Sequence, residues 1–371
     1  MLVGEPESLP RPEAGPSPRL AHVCIVSSGA AGAMGLSVKR AFEALGRRVS
    51  YLPYLDWLPT IGSASFRGSG IINRGIGLLT RPAIEVRLIA ALKSLRPDLV
   101  LFIKCDDLHA TTYTAIRWAT GAPLVAFHPD DPWNFATAFR RGPSHQRAEF
   151  QNRQVDAMFL WSRALVQRAA AEGAQRAFYL PFACDPELHM QVDAVSAEEQ
   201  RELGADVCFI GNWDAEREAW LGPVADAGID LAIWGAEYWR DRCKHEGLKK
   251  AWRGRPLFGV EQAKAARASR IMVNVLRTQN KGATNMRTFE IPCTGGFMLH
   301  ERSAEAAAIF PPEVACGDFG TPDELVLAIR RWLDDPTGRA AVAAEGHRRA
   351  LAWTYREWAM RLLERCEGWA G

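Results

Sequence analysis

The fold is decided by residues 21–54, which read AHVCIVSSGAAGAMGLSVKRAFEALGRRVSYLPY. The apolar run HVCIV is followed by small residues, and the apolar residues of LSVKRAFEAL then recur at helical spacing. The segment RRVSYLPY returns to the alternation of a strand. The stretch therefore predicts a β-α-β unit with a glycine-rich turn.

The same alternation of helix and strand continues on the C-terminal side of this unit, at 83–105 and 111–129. A polar stretch at 186–204 interrupts the series, and a second series then begins with ADVCFIGNWDAEREAWLG. Strands rich in Val, Ile and Phe without alternation are typical of parallel sheets covered on both faces. The sequence therefore predicts an α/β protein whose domains, 20–185 and 205–350, are joined by a linker and separated by a cleft.

The composition is that of an ordinary globular protein, with 371 residues, 48% hydrophobic and 24% charged, and a net charge of +2. Such a small charge gives no indication of nucleic-acid binding. No apolar run reaches the roughly 20 residues needed to cross a bilayer. Residues 1–19 are rich in proline and lack the apolar core of a secretory signal, so they are interpreted as a disordered lead-in. We therefore expect a cytoplasmic protein and leave peripheral contact with a membrane surface open.

The eight cysteines and eight histidines are scattered along the chain, with no CxxC pair and no HExxH motif. Several cysteines stand in apolar runs such as HVCIV and DVCFI, which favours reduced, buried thiols. The spacing indicates neither disulfides nor a structural metal site.

The most informative chemistry lies in TNMRTFEIPCTGG, residues 284–296. The motif places Arg287 three residues before Glu290, and a proline and two glycines follow. A helix that only packs has no obvious need for that combination. The alternative interpretation is a surface ion pair at i and i+3, worth roughly a few tenths of a kcal/mol.

The second half of the chain resembles the nucleotide-sugar domain of GT-B glycosyltransferases, and more narrowly the spore-maturation-protein (CgeB-like) group. The resemblance is carried by DVCFIGNWDAERE, the WG of IWGAEYW, NMRTFEIPCTGGFMLHE and DDPTGRAAVAAEGHRRALAWTYREWAMRLL. The first half fits through RPDLVLFIKC, PLVAFHPDDP and AFYLPFACDPELH. The resemblance implies a GT-B fold, two Rossmann-like domains whose parallel sheets face each other across a cleft. It also implies that a terminal helix at 351–371 packs back toward the N-terminal domain.

A nucleoside diphosphate sugar would explain the residues of the motif. Arg287 can form charge-assisted bonds to phosphate oxygens, and Glu290 can accept hydrogen bonds from the ribose hydroxyls. Gly295 allows the backbone to approach a ligand closely. The full set of predicted donor-binding residues is Arg287, Glu290, Asn285, Thr288, Lys281, Gly211, Asn212 and Gly295.

Gly211 and Asn212 follow the strand DVCFI and either face the donor phosphates or form a simple strand-to-helix turn. Arg217, one helical turn further, is a weaker candidate that could equally be solvated. Gly29 and Gly32 lie in SSGAAGAMG, which is interpreted either as a cleft loop near donor and acceptor or as a tight turn. This loop lacks the GxGxxG fingerprint, which argues against an NAD-dependent dehydrogenase.

The segment HPDDPWN places His128, Asp130 and Asp131 at the end of a buried-type strand, where the cleft is expected. A glycosyl acceptor needs a general base or a group that steers its hydroxyl, so these three residues are the predicted catalytic set. The alternative is an Asp-Pro turn. For Asp106, Asp107 and His109, after another strand, a helix cap is the favoured interpretation.

One position departs from the resembled group. Many retaining GT-B enzymes carry a second glutamate eight residues before the ribose-binding one, and here that position is Gly282. The donor sugar and the stereochemistry of transfer are therefore left open.

The expected activity is transfer of a sugar from a UDP, GDP or dTDP donor to an acceptor, without a metal or another cofactor. The acceptor is left open among a glycan, a lipid-linked compound, a protein and a small molecule. Two alternatives remain: a nucleotide-sugar epimerase on the same fold, and a non-catalytic scaffold with a decayed donor site. The missing carboxylate at Gly282 gives the scaffold some support.

Overall fold

The computed structural model describes residues 19–27, 34–57, 69–105, 108–133 and 153–369. Within these ranges the strands form two sheets, one of six strands and one of five, and all their pairings are parallel. This confirms the predicted α/β architecture with two parallel sheets.

The first sheet has the strand order β2-β1-β3-β4-β5-β6. Its strands are β1 (His22–Ser27), β2 (Arg48–Pro53), β3 (Leu99–Ile103), β4 (Leu124–His128), β5 (Ala157–Leu160) and β6 (Ala177–Tyr179). The helices described in this half are α1 (Met34–Ala44), α2 (Ser69–Leu95), α3 (Ala110–Thr120) and α4 (Arg163–Ala171), with a short 3-10 helix at Tyr54–Trp57.

The second sheet has the order β11-β10-β9-β7-β8. Its strands are β7 (Val207–Ile210), β8 (Leu231–Trp234), β9 (Ile271–Asn274), β10 (Met298–Glu301) and β11 (Gly317–Phe319). The helices of this half are α5 (Ala197–Leu203), α6 (Ala215–Asp226), α7 (Tyr238–Asp241), α8 (Glu246–Ala251), α9 (Val260–Ala268), α10 (Arg287–Cys293), α11 (Ala304–Ile309), α12 (Pro322–Asp334), α13 (Pro336–Ala350) and α14 (Tyr355–Glu367), with a 3-10 helix at Thr278–Asn280.

The central strands are buried along their whole length, so both of their faces are covered. Every residue of β3, β4, β7 and β9 is buried, which explains why their sequences are apolar without alternation. All eight cysteines are buried, as their apolar surroundings predicted.

Each sheet contains one point where the chain reverses its direction of growth, between β1 and β3 in the first and between β7 and β9 in the second. Ligands of such folds bind in the crevice at the carboxyl ends of the strands that flank this point. Residues just after β7 and β9 are therefore the first place to look for a site.

The stretch at 186–204 is more structured than a plain polar linker. It contains α5, which begins with a capping box in which Ser196 and Glu199 satisfy each other's backbone N–H groups. His189, in the same stretch, is buried. The predicted domain boundaries themselves stay a prediction.

The terminal helix α14 packs against α1 of the first half. The chain reaches it through a parallel bridge between Cys184 and Thr354, and the ring of Trp358 lies 5.2 Å from that of Phe127 in β4. Side-chain packing therefore ties the C-terminus to the first sheet.

Several predicted features lie outside the described residues: the lead-in up to residue 18, Gly29, Gly32, Asp106 and Asp107. Within the described ranges, no helix combines the length and the apolarity that crossing a membrane requires.

Candidate active site in the interdomain cleft

A cavity of about 370 Å³ lies between the two sheets, and both halves of the chain line it. The first half contributes residues such as Ser37 and Asp130, and the segment between the sheets contributes His189. The second half contributes residues that follow β7 and β9 and residues of α10. The cavity thus coincides with the crevice expected from the strand order.

The turn after β7 is shaped by two glycines that touch. A Cβ at Gly235 would lie 2.2 Å from the carbonyl oxygen of Gly211, so position 235 admits no side chain. The indole of Trp239 donates a hydrogen bond to the same carbonyl at 2.8 Å, and Asn212 Oδ1 accepts from the N–H of Ala236 at 3.3 Å. These contacts join the ends of β7 and β8 into one rigid rim.

Arg217 lies beneath this turn and is not solvated, contrary to the sequence-based alternative. Its side chain is 10% exposed, and Nη1 donates to the carbonyl of Asn212 at 2.9 Å. The guanidinium also lies 5.4 Å from the ring centre of Phe209. Burial lowers the pKa of Arg217 to about 10, which leaves the group charged at neutral pH.

Arg287 and Glu290 form an ion pair in the wall of the cleft, where Nη1 of Arg287 donates to Oε2 of Glu290. The side chain of Glu290 is 3% exposed and that of Arg287 is 25% exposed, so this is no surface pair. Arg287 Nε also donates to the carbonyl of Ile210 at 3.3 Å. Burial, and then the neighbouring charge of Arg217, lower the pKa of Arg287 to about 10.

Arg277 adds a third cation to the same wall. It follows β9, lines the cavity, and its Nε lies 3.5 Å from Asp214, the residue that caps α6. Arg277 was not among the residues predicted from the sequence, because no motif surrounds it. The signal that could have found it is position alone, since it comes just after a strand at the reversal point of the sheet.

Asn285 lines the cavity and organises the start of α10. Its amide is paired with that of Asn274, with Asn274 Nδ2 donating at 3.0 Å and Asn285 Nδ2 donating at 2.9 Å. Its Oδ1 accepts from the backbone N–H of Thr288 at 3.0 Å. Asn285 therefore fixes the helix that carries the ion pair.

Three of the predicted donor-binding residues do not line the cavity. Lys281 is bound between two carboxylates, with Nζ 2.9 Å from Glu216 and paired with Glu301. The Thr288 hydroxyl points inward and lies 2.9 Å from Nε2 of His300. Gly295 follows the far end of α10, where its φ of +77° serves the turn into β10. These three residues therefore make contacts or turns within the second half and do not face the cleft.

On the opposite wall, Asp130 is the member of the predicted catalytic set that lines the cavity. It is paired with Lys104 at 2.8 Å and accepts from the amide of Gln279 at 3.1 Å. The same Gln279 accepts from the backbone N–H of Asp131 at 3.3 Å, so one side chain spans the cleft. Gln279 was not selected from the sequence.

Asp131 and His128 stand behind Asp130. The Asp131 carboxylate accepts from the N–H of Trp133 at 2.8 Å, as in the Asp-Pro turn that was the alternative interpretation of this segment. Burial is the main cause of a raised pKa at Asp131. His128 is the last residue of β4 and is 2% exposed, so its side chain belongs to the sheet and does not line the cleft.

Gly282 lies away from the cavity wall, in a turn where its φ is +75°. A Cβ there would meet nothing within 4 Å. Among residues 278–284, the two that line the cleft are Gln279 and Asn280. Within the described part of the chain, no cluster of three His, Cys, Asp or Glu residues could hold a metal ion.

A family model described as "Glycosyl transferase-like" matches residues 217–364. This segment runs from the buried Arg217 through the ion pair of α10 into α14. No curated protein matches the chain significantly.

Among solved structures, Anabaena Alr3699/HepE in complex with UDP-glucose is similar at 11% identity and a TM-score of 0.64, covering 94% of this chain and 99% of that one. Sucrose-phosphate synthase from Thermosynechococcus elongatus is similar at 13% identity and a TM-score of 0.67, covering 94% and 98%. A Listeria monocytogenes protein described as a UDP-N-acetylglucosamine 2-epimerase reaches 14% identity and a TM-score of 0.52, covering 94% and 96%. These likenesses confirm the GT-B fold.

Proposed function

We propose that this protein of GT-B fold is a glycosyltransferase that moves a hexose from a UDP-sugar to an acceptor hydroxyl and needs no metal ion. The observation that carries the proposal is the cluster of Arg217, Arg277 and Arg287 beside the buried carboxylate of Glu290, at the reversal point of the second sheet. Membership of the CgeB-like group, a cytoplasmic location and a role in bacterial glycan or glycoconjugate biosynthesis belong to the same proposal.

The arginines suit the leaving group. When the bond between the anomeric carbon and the β-phosphate oxygen breaks, negative charge grows on the diphosphate. Guanidinium groups that are already in place and partly desolvated stabilise that charge without reorganisation. They would take the part that a divalent metal plays in other phosphate sites.

The nucleoside would occupy the rest of the second-half wall. Glu290 can accept from both ribose hydroxyls, because a carboxylate offers about four acceptor positions. Phe258 lines the same cavity, and 60% of its surface is exposed, so its ring is available for stacking on a base.

The acceptor would enter from the first half. The acceptor oxygen bonds to the anomeric carbon and loses its proton, which a general base or the departing phosphate receives. Asp130 faces the cleft and is the better placed carboxylate, while Asp131, whose pKa is raised, holds the turn. We assign Asp130 the role of steering the acceptor.

The choice of UDP as the first probe comes from a neighbour in fold. Structures of Anabaena Alr3699/HepE contain UDP-glucose and, separately, UDP and glucose. At 11% identity this supports a shared fold, so the donor of the present chain must be tested directly.

The first test is a thermal-shift panel of UDP, GDP, dTDP, CMP and NAD on wild type and Glu290→Gln. A ligand at about 100 times its dissociation constant should stabilise by roughly 2.7 kcal/mol, which shifts the melting temperature by a few degrees. We expect UDP to stabilise wild type, with or without EDTA, and to lose most of its effect in Glu290→Gln. Wild type that is stabilised by no nucleotide would support the scaffold alternative.

Epimerisation is distinguished by its products. An epimerase would convert UDP-N-acetylglucosamine without any acceptor, and the new sugar would be visible by proton NMR. A transferase would release UDP only when an acceptor, or slowly water, takes the sugar.

A further inference from the structure

His189 connects the two halves of the chain at the floor of the cleft. It stands in the stretch that the sequence analysis interpreted as a linker, yet its side chain is only 8% exposed. Its Nε2 lies 3.6 Å from Oε1 of Glu290, just beyond hydrogen-bond length. The residue also lines the cavity, so a ligand bound there would be next to it.

On its other side, His189 is held by Asp185. The backbone N–H of Asp185 donates to Nδ1 of His189 at 3.2 Å. The Asp185 carboxylate is paired with Arg40 of α1 and accepts from the N–H of Glu187 at 3.1 Å. Burial opposes ionisation of this carboxylate, but hydrogen bonds from Ser37 and Arg40 outweigh it and lower the pKa of Asp185.

These contacts decide which nitrogen of His189 carries the proton. Because Nδ1 accepts, the neutral ring must have its hydrogen on Nε2, which faces Glu290. Burial, and then the charge of Arg287, lower the pKa of His189 to about 4, so the ring is neutral at physiological pH. It can therefore donate to Glu290 without adding charge.

We propose that His189 is a positioning residue that holds Glu290 for the ribose diol and links the donor site to α1 of the first half. The proposal rests on the proposed function, since it assumes that Glu290 binds a nucleoside diphosphate.

The ion pair between Arg287 and Glu290 in the free protein explains why another residue is needed to position Glu290. Arg287 now binds Oε2 of Glu290, and the amide of Gln262 lies 3.5 Å from the same oxygen. A diphosphate would compete for Arg287 and draw it away from the carboxylate. The contact of His189 with Oε1 would then keep Glu290 oriented, because a neutral donor is not attracted to the phosphate as a cation is.

Two substitutions of His189 test the contacts of its two ring nitrogens separately. In His189→Asn the side-chain oxygen can still accept from the N–H of Asp185, but the asparagine side chain is too short to reach Glu290. In His189→Gln the amide can reach Glu290 and donate to it. We expect His189→Asn to weaken UDP binding about tenfold by calorimetry, as the loss of a hydrogen bond to a charged group does. His189→Gln should stay within roughly threefold of wild type.

A double-mutant cycle distinguishes positioning from a general structural effect. In the Glu290→Gln background, His189→Asn should cause no further loss of UDP affinity. In steady-state assays His189→Asn should raise the donor KM and leave kcat nearly unchanged. If His189→Asn does not fold, Arg40→Gln tests the same connection from α1 and should weaken UDP binding only while Glu290 is present.

The inference is overturned if His189→Asn binds UDP like wild type. It is also overturned if His189→Asn loses the same UDP affinity in the Glu290→Gln background as in the wild-type background. Wild type that is folded but does not bind UDP has a different meaning, since that result refutes the proposed donor and the role of His189 with it.

Discussion

Gly211 and Gly235 show how single residues shape the rim of the cleft that follows β7. The carbonyl of Gly211 occupies the space that a side chain at 235 would need. A Cβ at Gly211 would lie 2.9 Å from the ring of Phe209 and 3.3 Å from Nη1 of Arg217. The lack of a side chain at Gly211 thus leaves room for the buried guanidinium of Arg217, and the lack of one at Gly235 leaves room for the carbonyl of Gly211.

Gly235→Ala should therefore destabilise the protein. A Cβ 2.2 Å from a backbone oxygen forces the rim apart, and overpacking of this kind costs about 1–3 kcal/mol. Gly368→Ala is the matched control, because its Cβ would meet nothing closer than 3.6 Å and its helical φ of −69° suits alanine. Urea denaturation measures both, and equal midpoints would contradict the expectation.

At the scale of elements, α10 and β10 are joined through a buried histidine. Nδ1 of His300 donates to the carbonyl of Glu301, so Nε2 accepts from the hydroxyl of Thr288. Burial lowers the pKa of His300 to about 4. The neutral imidazole of His300 therefore joins α10 to β10. Thr288 was predicted to contact the ligand, but here its hydroxyl holds α10 against β10.

This histidine makes the stability of the protein depend on pH. The pKa is about 4 in the folded state and about 6.5 when unfolded, so between these values the unfolded state binds the extra proton. Stability should fall as pH drops from about 6.5 to 4, with a slope of up to 1.4 kcal/mol per pH unit for this group.

Denaturation of wild type and His300→Asn across that pH range measures the effect. Asparagine can still donate to the carbonyl of Glu301 but does not titrate. The variant should be less stable at pH 7.5, and its pH slope should be smaller by about one proton. Identical slopes would show that His300 titrates normally. His189, with a similarly lowered pKa, contributes in the same direction.

At the scale of the whole molecule, two of the described contacts between the halves are made by residues that line the cavity. His189 joins the halves at the floor, and Gln279 joins them through Asp130 and the backbone of Asp131. Closing two domains on a substrate excludes water from the reacting bond. We therefore expect contacts of this kind to affect the ratio of sugar transfer to hydrolysis of the donor.

Gln279→Glu would place a carboxylate against Asp130, and like charges across an interface disfavour the closed state. We expect kcat/KM for sugar transfer to fall roughly tenfold, with UDP affinity changed by less than about threefold. Thr278→Val is the control, because that hydroxyl bonds only to Glu216 of the same half among its described contacts. Transfer and hydrolysis are followed together by UDP release, with and without an acceptor; a Gln279→Glu variant as active as the control would exclude this role.

The α/β fold and the presence of the Arg287–Glu290 motif were predictable from sequence, because both depend on local order along the chain. Buried parallel strands need continuous apolar runs, and a cation three residues before an acid is visible in any sequence. Lys281 and Gly295 were predicted by proximity to the motif, but neighbours in sequence on a helix or turn point in different directions.

Which side chains share the cleft depends on how distant segments of the chain pack together. Arg217, Arg277 and His189 come from three separate segments that meet at the carboxyl edge of the second sheet. No periodicity records such a meeting, since it depends on the strand order and on how the two sheets face each other. The secondary-structure elements and the motif can thus be read from the order of residues along the chain, whereas the lining of the cleft follows from the packing of the two halves.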